Sequence, residues 1–584
     1  MHSKPDEPAA PQTFYTVTGE IALARHQPRA AALQYAGAAA NETDLALLQR
    51  AAQVTEECLQ PSLTAKVAAR WLSIDPKSVE AQRAAARAAL ALYKIDDAVA
   101  HYRVVLATSP LGAESEIGAL EAYLAAGDNI FGARQLADRL AALFPSSPAA
   151  LRMQGFTALR ADDPAAAVKS FTAALALPAG ATGAGAAGAG AAGAGAAGAG
   201  APGVGAADTR PEVVQSLARA RVMAGDVDKP LAQAQEKAAH ENTPANTLDY
   251  ALLLMTAQRN AEAIPQLDIL AKNPEYAPIA LRLQGLIEFQ AGNLDAATLR
   301  FAELVKTEKY LDDAFFYLGL IADRNDDAEH ALRLYAQVQG GENALPAMLR
   351  ATVILQKHGA AASSEELLDR LTEDEPRRAP EILTARARMY ADAGDFPRAS
   401  SVLDQAAAEY PDNVDIRYAK ASVFEDEGRI PDALRTLTEL VKLRPEDPGA
   451  LNALGYTLAD HSRKLTRARK LIERAHAAAP RNAAVLDSLG WVLFRQGHTA
   501  EAESYLRDAY ADDRGGDIAA HLGEVLWQLG KAAEAEHVWT EAGVSDRDNK
   551  LLKSTRQRLH AAPQPFAAPP RQPSSSSPPA STES

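Results

Sequence analysis

Side chains able to do acid–base or nucleophilic chemistry are plentiful in this 584-residue chain, but they do not gather. Its twelve histidines are scattered, with no His-Glu-x-x-His pattern for zinc, no Gly-x-Ser-x-Gly elbow and no Walker loop. Gly183-Ala-Gly185-Ala-Ala-Gly188 matches a dinucleotide fingerprint letter for letter. A phosphate-cradling loop, however, must follow a strand and open a helix, whereas this pattern merely recurs through a run of Gly and Ala. The carboxylate pairs Asp312-Asp313, Asp326-Asp327 and Asp512-Asp513 fall at expected helix starts and turns, where negative charge favours the positive end of the helix dipole. The single cysteine, Cys58, excludes an intramolecular disulfide and a cysteine-based metal site, and it reads as a buried, inert thiol. No catalytic residue, cofactor or metal is therefore predicted, and the chain is read as not an enzyme.

What the sequence does repeat is a helical phrase. Ala251, Gly285 and Gly319 recur at steps of 34, and Ala263, Ala297 and Ala331 repeat the step. Later, Ala387, Ala421 and Gly455 keep it, with Ala399 and Ala433 as partners and Pro411 and Pro445 closing the units. The clearest copy runs from Asp487 to Tyr510. There Gly490 stands where two helix backbones must touch, Ala502 answers it, and Leu489, Leu493, Leu506 and Ala509 supply the apolar packing. Further units anchor at Gly19 with Tyr35, Ala86 with Tyr102, Glu121 with Ala133, Gly155 with Phe171, and Gly523 with Trp539. About fourteen units are expected between Phe14 and Asp546. The first two, the one near Arg350 and the one carrying Pro230 at the alanine position are the least regular. Because one unit cannot bury its own apolar face, the array is expected to fold by stacking nearest neighbours.

A period of 34 with small residues at both helix crossings resembles the tetratricopeptide repeat. The fold class implied is all-α: a right-handed superhelical solenoid of helix-turn-helix repeats. The organisation expected is a polar leader (1–13), an N-terminal repeat block (14–178), a flexible Gly/Ala insert (179–210), a C-terminal repeat block (211–546), a capping helix (547–560) opened by Asp548, and a disordered Pro/Ser tail (561–584). In that family the first helix of each unit lines a concave groove. The resemblance places Tyr418, Asn452, Tyr456, Asp460, Asp487, Trp491, Phe494, Arg495, Glu524 and Trp527 on this wall. The mixture of aromatics, amide and charge suits a peptide-binding surface with a few anchors. Trp491 and Tyr456 are the expected partner contacts; packing against a neighbouring helix is the other reading of such aromatics. Trp527 is the one a cap helix would cover. Leu252, Met255, Leu286, Phe289 and Phe316 give the earlier units a greasier wall.

Composition narrows the partner. The formal net charge is −15, and without a concentrated basic face nucleic acid is not an expected partner. No apolar run is long enough to cross a bilayer, and the first residues lack the apolar stretch of an export signal. Read literally the chain is cytoplasmic, although a proline-rich polar leader also resembles the tether left after an export or lipid-anchoring segment. The opening Tyr15-Thr-Val-Thr-Gly-Glu-Ile-Ala-Leu-Ala-Arg and the phrases Leu451-Asn-Ala-Leu-Gly-Tyr and Leu486-Asp-Ser-Leu-Gly-Trp resemble a group of proteobacterial tetratricopeptide lipoproteins. That group includes an adaptor that brings cell-wall hydrolases to a periplasmic carboxyl-terminal processing protease. The resemblance implies a periplasmic scaffold at the outer membrane, with the protease and peptidoglycan hydrolases as partners and membrane contact only through a lipid anchor that this sequence lacks. An assembly factor for an outer-membrane secretin, pilus or exopolysaccharide exporter, and a regulatory repeat subunit of a glycosyltransferase, are the alternatives. Self-association through an exposed end repeat stays open.

Overall fold

In the computed structural model, residues 12–177, 210–461, 464–546 and 549–561 are described; the leader, most of the Gly/Ala insert, Arg463, Asp548 and most of the tail lie outside them. Among the described residues there are thirty-one α-helices, one 3-10 turn at Pro376–Arg378 and no strand. The first thirty helices run as fifteen successive helix pairs, one more than the sequence count; the fourth pair, Ala113–Ala126 and Ile130–Leu143, packs on its neighbours more than on itself. The chain divides into two compact units, Met1–Ala450 and Leu451–Ser584, so the boundary falls inside the helix Pro448–His461 rather than at the Gly/Ala insert. Each unit is an all-α array of hairpins.

Why these residues make hairpins is visible in one spacing. A glycine in the first helix faces a large residue sixteen positions later in the second: Gly155 meets Phe171, Gly285 meets Phe301, Gly319 meets Tyr335, Gly490 meets Leu506 and Gly523 meets Trp539. A methyl group on Gly490 would lie 2.6 Å from Leu506 Cγ and 3.1 Å from the Ala502 carbonyl, so the helices approach this closely only because no side chain intervenes. Where the first helix carries alanine, leucine often stands at that position: Ala387, Ala421 and Ala251 pair by sequence with Leu403, Leu437 and Leu267, all buried, whereas Ala86 keeps a buried Tyr102. The hairpin near Arg350 obeys the same geometry in polar letters. Its helices Ala344–Lys357 and Ala361–Asp374 cross at buried Thr352 and Ser364, and the Ser364 hydroxyl donates to the Thr352 carbonyl (3.1 Å).

Helix starts are capped as the residue types require. Asn482 Oδ1 accepts from the Val485 amide (3.1 Å), Ser147 Oγ from Ala150 (3.0 Å) and Asn413 Oδ1 from Ile416 (3.0 Å). The final helix, Lys550–Ala561, is opened by Asn549, whose Oδ1 accepts from the Leu552 amide (2.8 Å).

The first unit departs from strict nearest-neighbour stacking. Helices Pro28–Ala39 and Pro61–Ile74 each begin with proline and lack a side-chain cap of their own. Their free amides are satisfied by carboxylates roughly 350 to 380 residues later: Arg29 N–H donates to Glu409 Oε1 (2.7 Å), and Ser62 N–H donates to Asp412 Oδ2 (3.0 Å). At the other dipole end, Arg444 donates to the Ala91 carbonyl (2.7 Å), the last residue of the helix Val79–Ala91.

Candidate protein-binding groove

The second unit gathers most of the predicted groove residues. Its first helices are Pro448–His461, Ala483–Arg495 and Gly516–Gln528, and side chains interlock from one to the next. Trp491 is only 6% exposed. Its indole N–H donates to Asp460 Oδ1 (3.1 Å), and its ring stacks on His521 with centroids 4.2 Å apart and planes at 21°. Asp487, also buried, accepts from His521 Nδ1 through both oxygens (2.9 and 3.0 Å). Tyr456 Oη lies 3.5 Å from the other imidazole nitrogen. Burial by itself would push the His521 pKa down; the Asp487 carboxylate outweighs it, with smaller help from Asp460 and Asp517, and the net shift is upward. The imidazolium form, which can donate from both nitrogens, is therefore the one this pocket favours.

Trp491 and Trp527 are consequently not open anchors. Trp527, 8% exposed, lies against Trp539 (5.7 Å) and against His560 of the final helix (5.3 Å), while Glu524 accepts from Arg558 of the same helix (2.6 Å). The physical reason is register: first helices pack closely enough that a large ring at the groove position reaches the next helix before it reaches solvent. The contact role expected for Trp491 is corrected accordingly. Tyr418 belongs to the first unit, half-buried next to Gly449, and its phenol is pushed well up by burial and by the Asp447 charge.

A half-exposed row remains: Asn452, Tyr456, Asp460, Phe494 and Arg495. Arg495 donates to the Asp460 carbonyl (2.8 Å) and its guanidinium lies 5.8 Å from the Trp491 ring centroid. Asn452 Nδ2 donates to the Ala484 carbonyl (3.4 Å), but its Oδ1 is buried with no partner. An acceptor left in that state costs about 1–3 kcal/mol and would be satisfied by an incoming N–H. His521 was not legible as part of this site. It stands two residues before Gly523, whereas Asp487 stands three before Gly490, so counting by repeat passes over it. The signal that could have found it is the direct 34-residue step from Asp487 to His521.

No group of three or more metal-ligating side chains occurs among the described residues, and no helix among them is long and apolar enough to cross a membrane. Burial raises the Cys58 thiol to about 11, with the nearby Glu57 and Glu409 charges adding to the shift, which keeps it protonated and unreactive.

Family models agree with the helical repeats. Models of the tetratricopeptide repeat match residues 390–455 and residues 248–307 and 488–543. The TPR repeat-containing protein PA4667 of Pseudomonas aeruginosa is 34% identical over 211 residues, a match covering 36% of this chain and 36% of that protein. The chain thus spans about a third of the length of that curated relative. Among solved structures, a thermophilic TPR protein of Thermus thermophilus aligns at 21% identity and TM-score 0.28, covering 31% of this chain and 97% of its own. Yeast Tom70 aligns at 14% identity and TM-score 0.29, covering 94% and 95%. With glycine-on-aromatic hairpins in both units, the chain carries tetratricopeptide repeats at residues 248–307, 390–455 and 488–543, a kind of repeat that binds other proteins.

Proposed function

We propose that this chain is a non-enzymatic scaffold of the bacterial cell envelope that works as an adaptor, holding a carboxyl-terminal processing protease and presenting cell-wall hydrolases to it. The observation that carries the binding role is the buried, unpartnered Asn452 Oδ1 in a row with half-exposed Tyr456, Phe494 and Arg495. Such a row offers an extended peptide one side-chain acceptor for a backbone N–H, two aromatic faces and a cation. The adaptor assignment rests on the resemblance carried by the phrases around Tyr15, Tyr456 and Trp491. Holding enzyme and substrate on one array raises their effective concentration and requires no catalytic group in the scaffold.

The test is capture from a cell-envelope extract, with the full chain as bait beside the Asn452→Ala/Phe494→Ala variant, and bound proteins identified by mass spectrometry. Recovery of a carboxyl-terminal processing protease, reduced at least severalfold by the variant, is the expected result. Recovery of a secretin or exporter in its place, or equal capture by both baits, would overturn the adaptor reading and the groove respectively.

A further inference from the structure

The contacts that tie the start of the first unit to its end are of one chemical kind, and that kind differs from the rest of the array. Hairpin stacks on hairpin through continuous apolar surface, such as the cluster of Ala387, Leu403, Ala406, Tyr410 and Ile416. The distant contact is mostly polar. Ser62 is held twice by Asp412, through its amide (3.0 Å) and its hydroxyl (2.8 Å). Glu409 takes the Arg29 amide on its carboxylate (2.7 Å) and the Gln60 carboxamide on its backbone carbonyl (2.8 Å). Arg444 closes on the Ala91 carbonyl (2.7 Å), with Tyr93 beneath its guanidinium at 5.6 Å. Negative charge meets two helix N-termini and positive charge meets one helix C-terminus, which is the dipole-matched arrangement.

The geometry of the joined segments is regular. Residues 58–62 and 91–93 belong to the turns inside the second and third hairpins, whereas residues 409–412 and 444–447 belong to the turns that follow the eleventh and twelfth. Turns inside early hairpins therefore sit on turns between late ones, advancing one repeat on each side. Two of the early turns also carry bulky residues in the left-handed region, Leu59 (φ 57°) and Tyr93 (φ 60°), where seven of the later hairpins carry glycine, as at Gly394 and Gly428. Both large side chains are used in the contact: Leu59 packs on the Leu403 cluster and Tyr93 on Arg444. Strain of this sort persists where surrounding contacts hold it.

We propose that this contact is a latch. Closed, it joins the second hairpin to the eleventh and bars sideways entry to the first helices between them; open, it admits a partner chain while every hairpin stays folded. These polar, charge-assisted contacts are part-buried rather than sealed, so salt weakens them while it leaves the apolar repeat interfaces intact, and the latch is the seam at which the first unit parts. The inference concerns access and does not depend on which protein is bound.

The test uses the full chain with Cys58→Ala, to remove the native thiol, plus Ser62→Cys and Asp412→Cys. Mild oxidation at low salt is expected to cross-link this pair, and the rate is expected to fall severalfold at high salt with unchanged helical circular dichroism. In the otherwise unmodified chain, the Arg29 and Ser62 amides are expected to exchange hydrogen faster than the Leu403 and Leu437 amides, and faster still in Glu409→Gln/Asp412→Asn. No cross-link in a natively helical protein would overturn the contact. A salt-independent rate, or Arg29 and Ser62 amides that exchange only with global unfolding, would show a permanent joint and overturn the latch.

Discussion

The two units solve the same problem, filling the space between successive first helices, with different side chains. In the second unit it is filled by rings and a buried ion pair: Trp491 on His521, His521 on Asp487, Trp527 on Trp539. In the first unit rings meet at Phe289, Phe301 and Tyr317, but elsewhere the space is bridged by arginine–carboxylate pairs that keep partial contact with water, Arg152 with Glu121 (2.9 Å), Arg282 with Asp313 and Arg388 with Asp426 (2.9 Å). Interlocked rings fix the angle between neighbouring hairpins, since moving one helix opens a void or a clash. Solvated ion pairs are individually weak and re-form after small displacements. The groove wall of the second unit is thus the more tightly interlocked, and that of the first leans more on ion pairs, with its distant caps supplying a further contact.

The most severe way to break the contrast is to enlarge a glycine in the second unit. Gly523→Leu places a side chain where the Trp539 indole now lies, and loss of the cooperative transition of the second unit is expected in calorimetry. Trp491→Ala removes a buried ring and is expected to cost about 3–5 kcal/mol, read as the shift in urea midpoint. His521→Ala leaves Asp487 buried without its partner and should cost a similar or slightly smaller amount, about 3 kcal/mol. The least effect is expected from Arg388→Ala in the first unit. Its side chain is 49% exposed, and a change below about 1 kcal/mol is expected; a loss equal to that of Trp491→Ala would erase the distinction between the units.

Acidity sharpens the same comparison. His521 has a folded-state pKa above its ordinary value of 6.5. Its contribution is therefore fully present below about pH 6.5 and is lost as pH rises through the raised folded-state value. The melting temperature of wild type is expected to fall over that interval, and the slope should be absent in His521→Gln. An unchanged slope in the variant would assign the effect to other groups.

Much of this fold can be read from the residues, and the reasons for what cannot are specific. The hairpins announce themselves because backbone contact demands glycine or alanine opposite a large partner, as at Gly155 and Phe171. The hairpin at Thr352 and Ser364 is harder to see because hydroxyls replaced the small apolar letters while preserving the crossing. The caps supplied by Glu409, Asp412 and Arg444 leave no local trace; each is an ordinary surface charge until the array brings it to a helix end some 350 residues away. The groove row was found by counting, but exposure was not, since whether a ring meets solvent or the next helix depends on interhelical spacing. Tyr456 and Trp491 look alike in sequence, and only Trp491 is sealed.

Thermal melting of Trp491→Ala beside Phe494→Ala/Arg495→Ala tests the division of the groove into a structural layer and a contact row most directly. A fall of roughly 10 °C for the first and a change of no more than about 2 °C for the second are the predicted results. Equal losses, or an unaffected Trp491→Ala, would contradict the account.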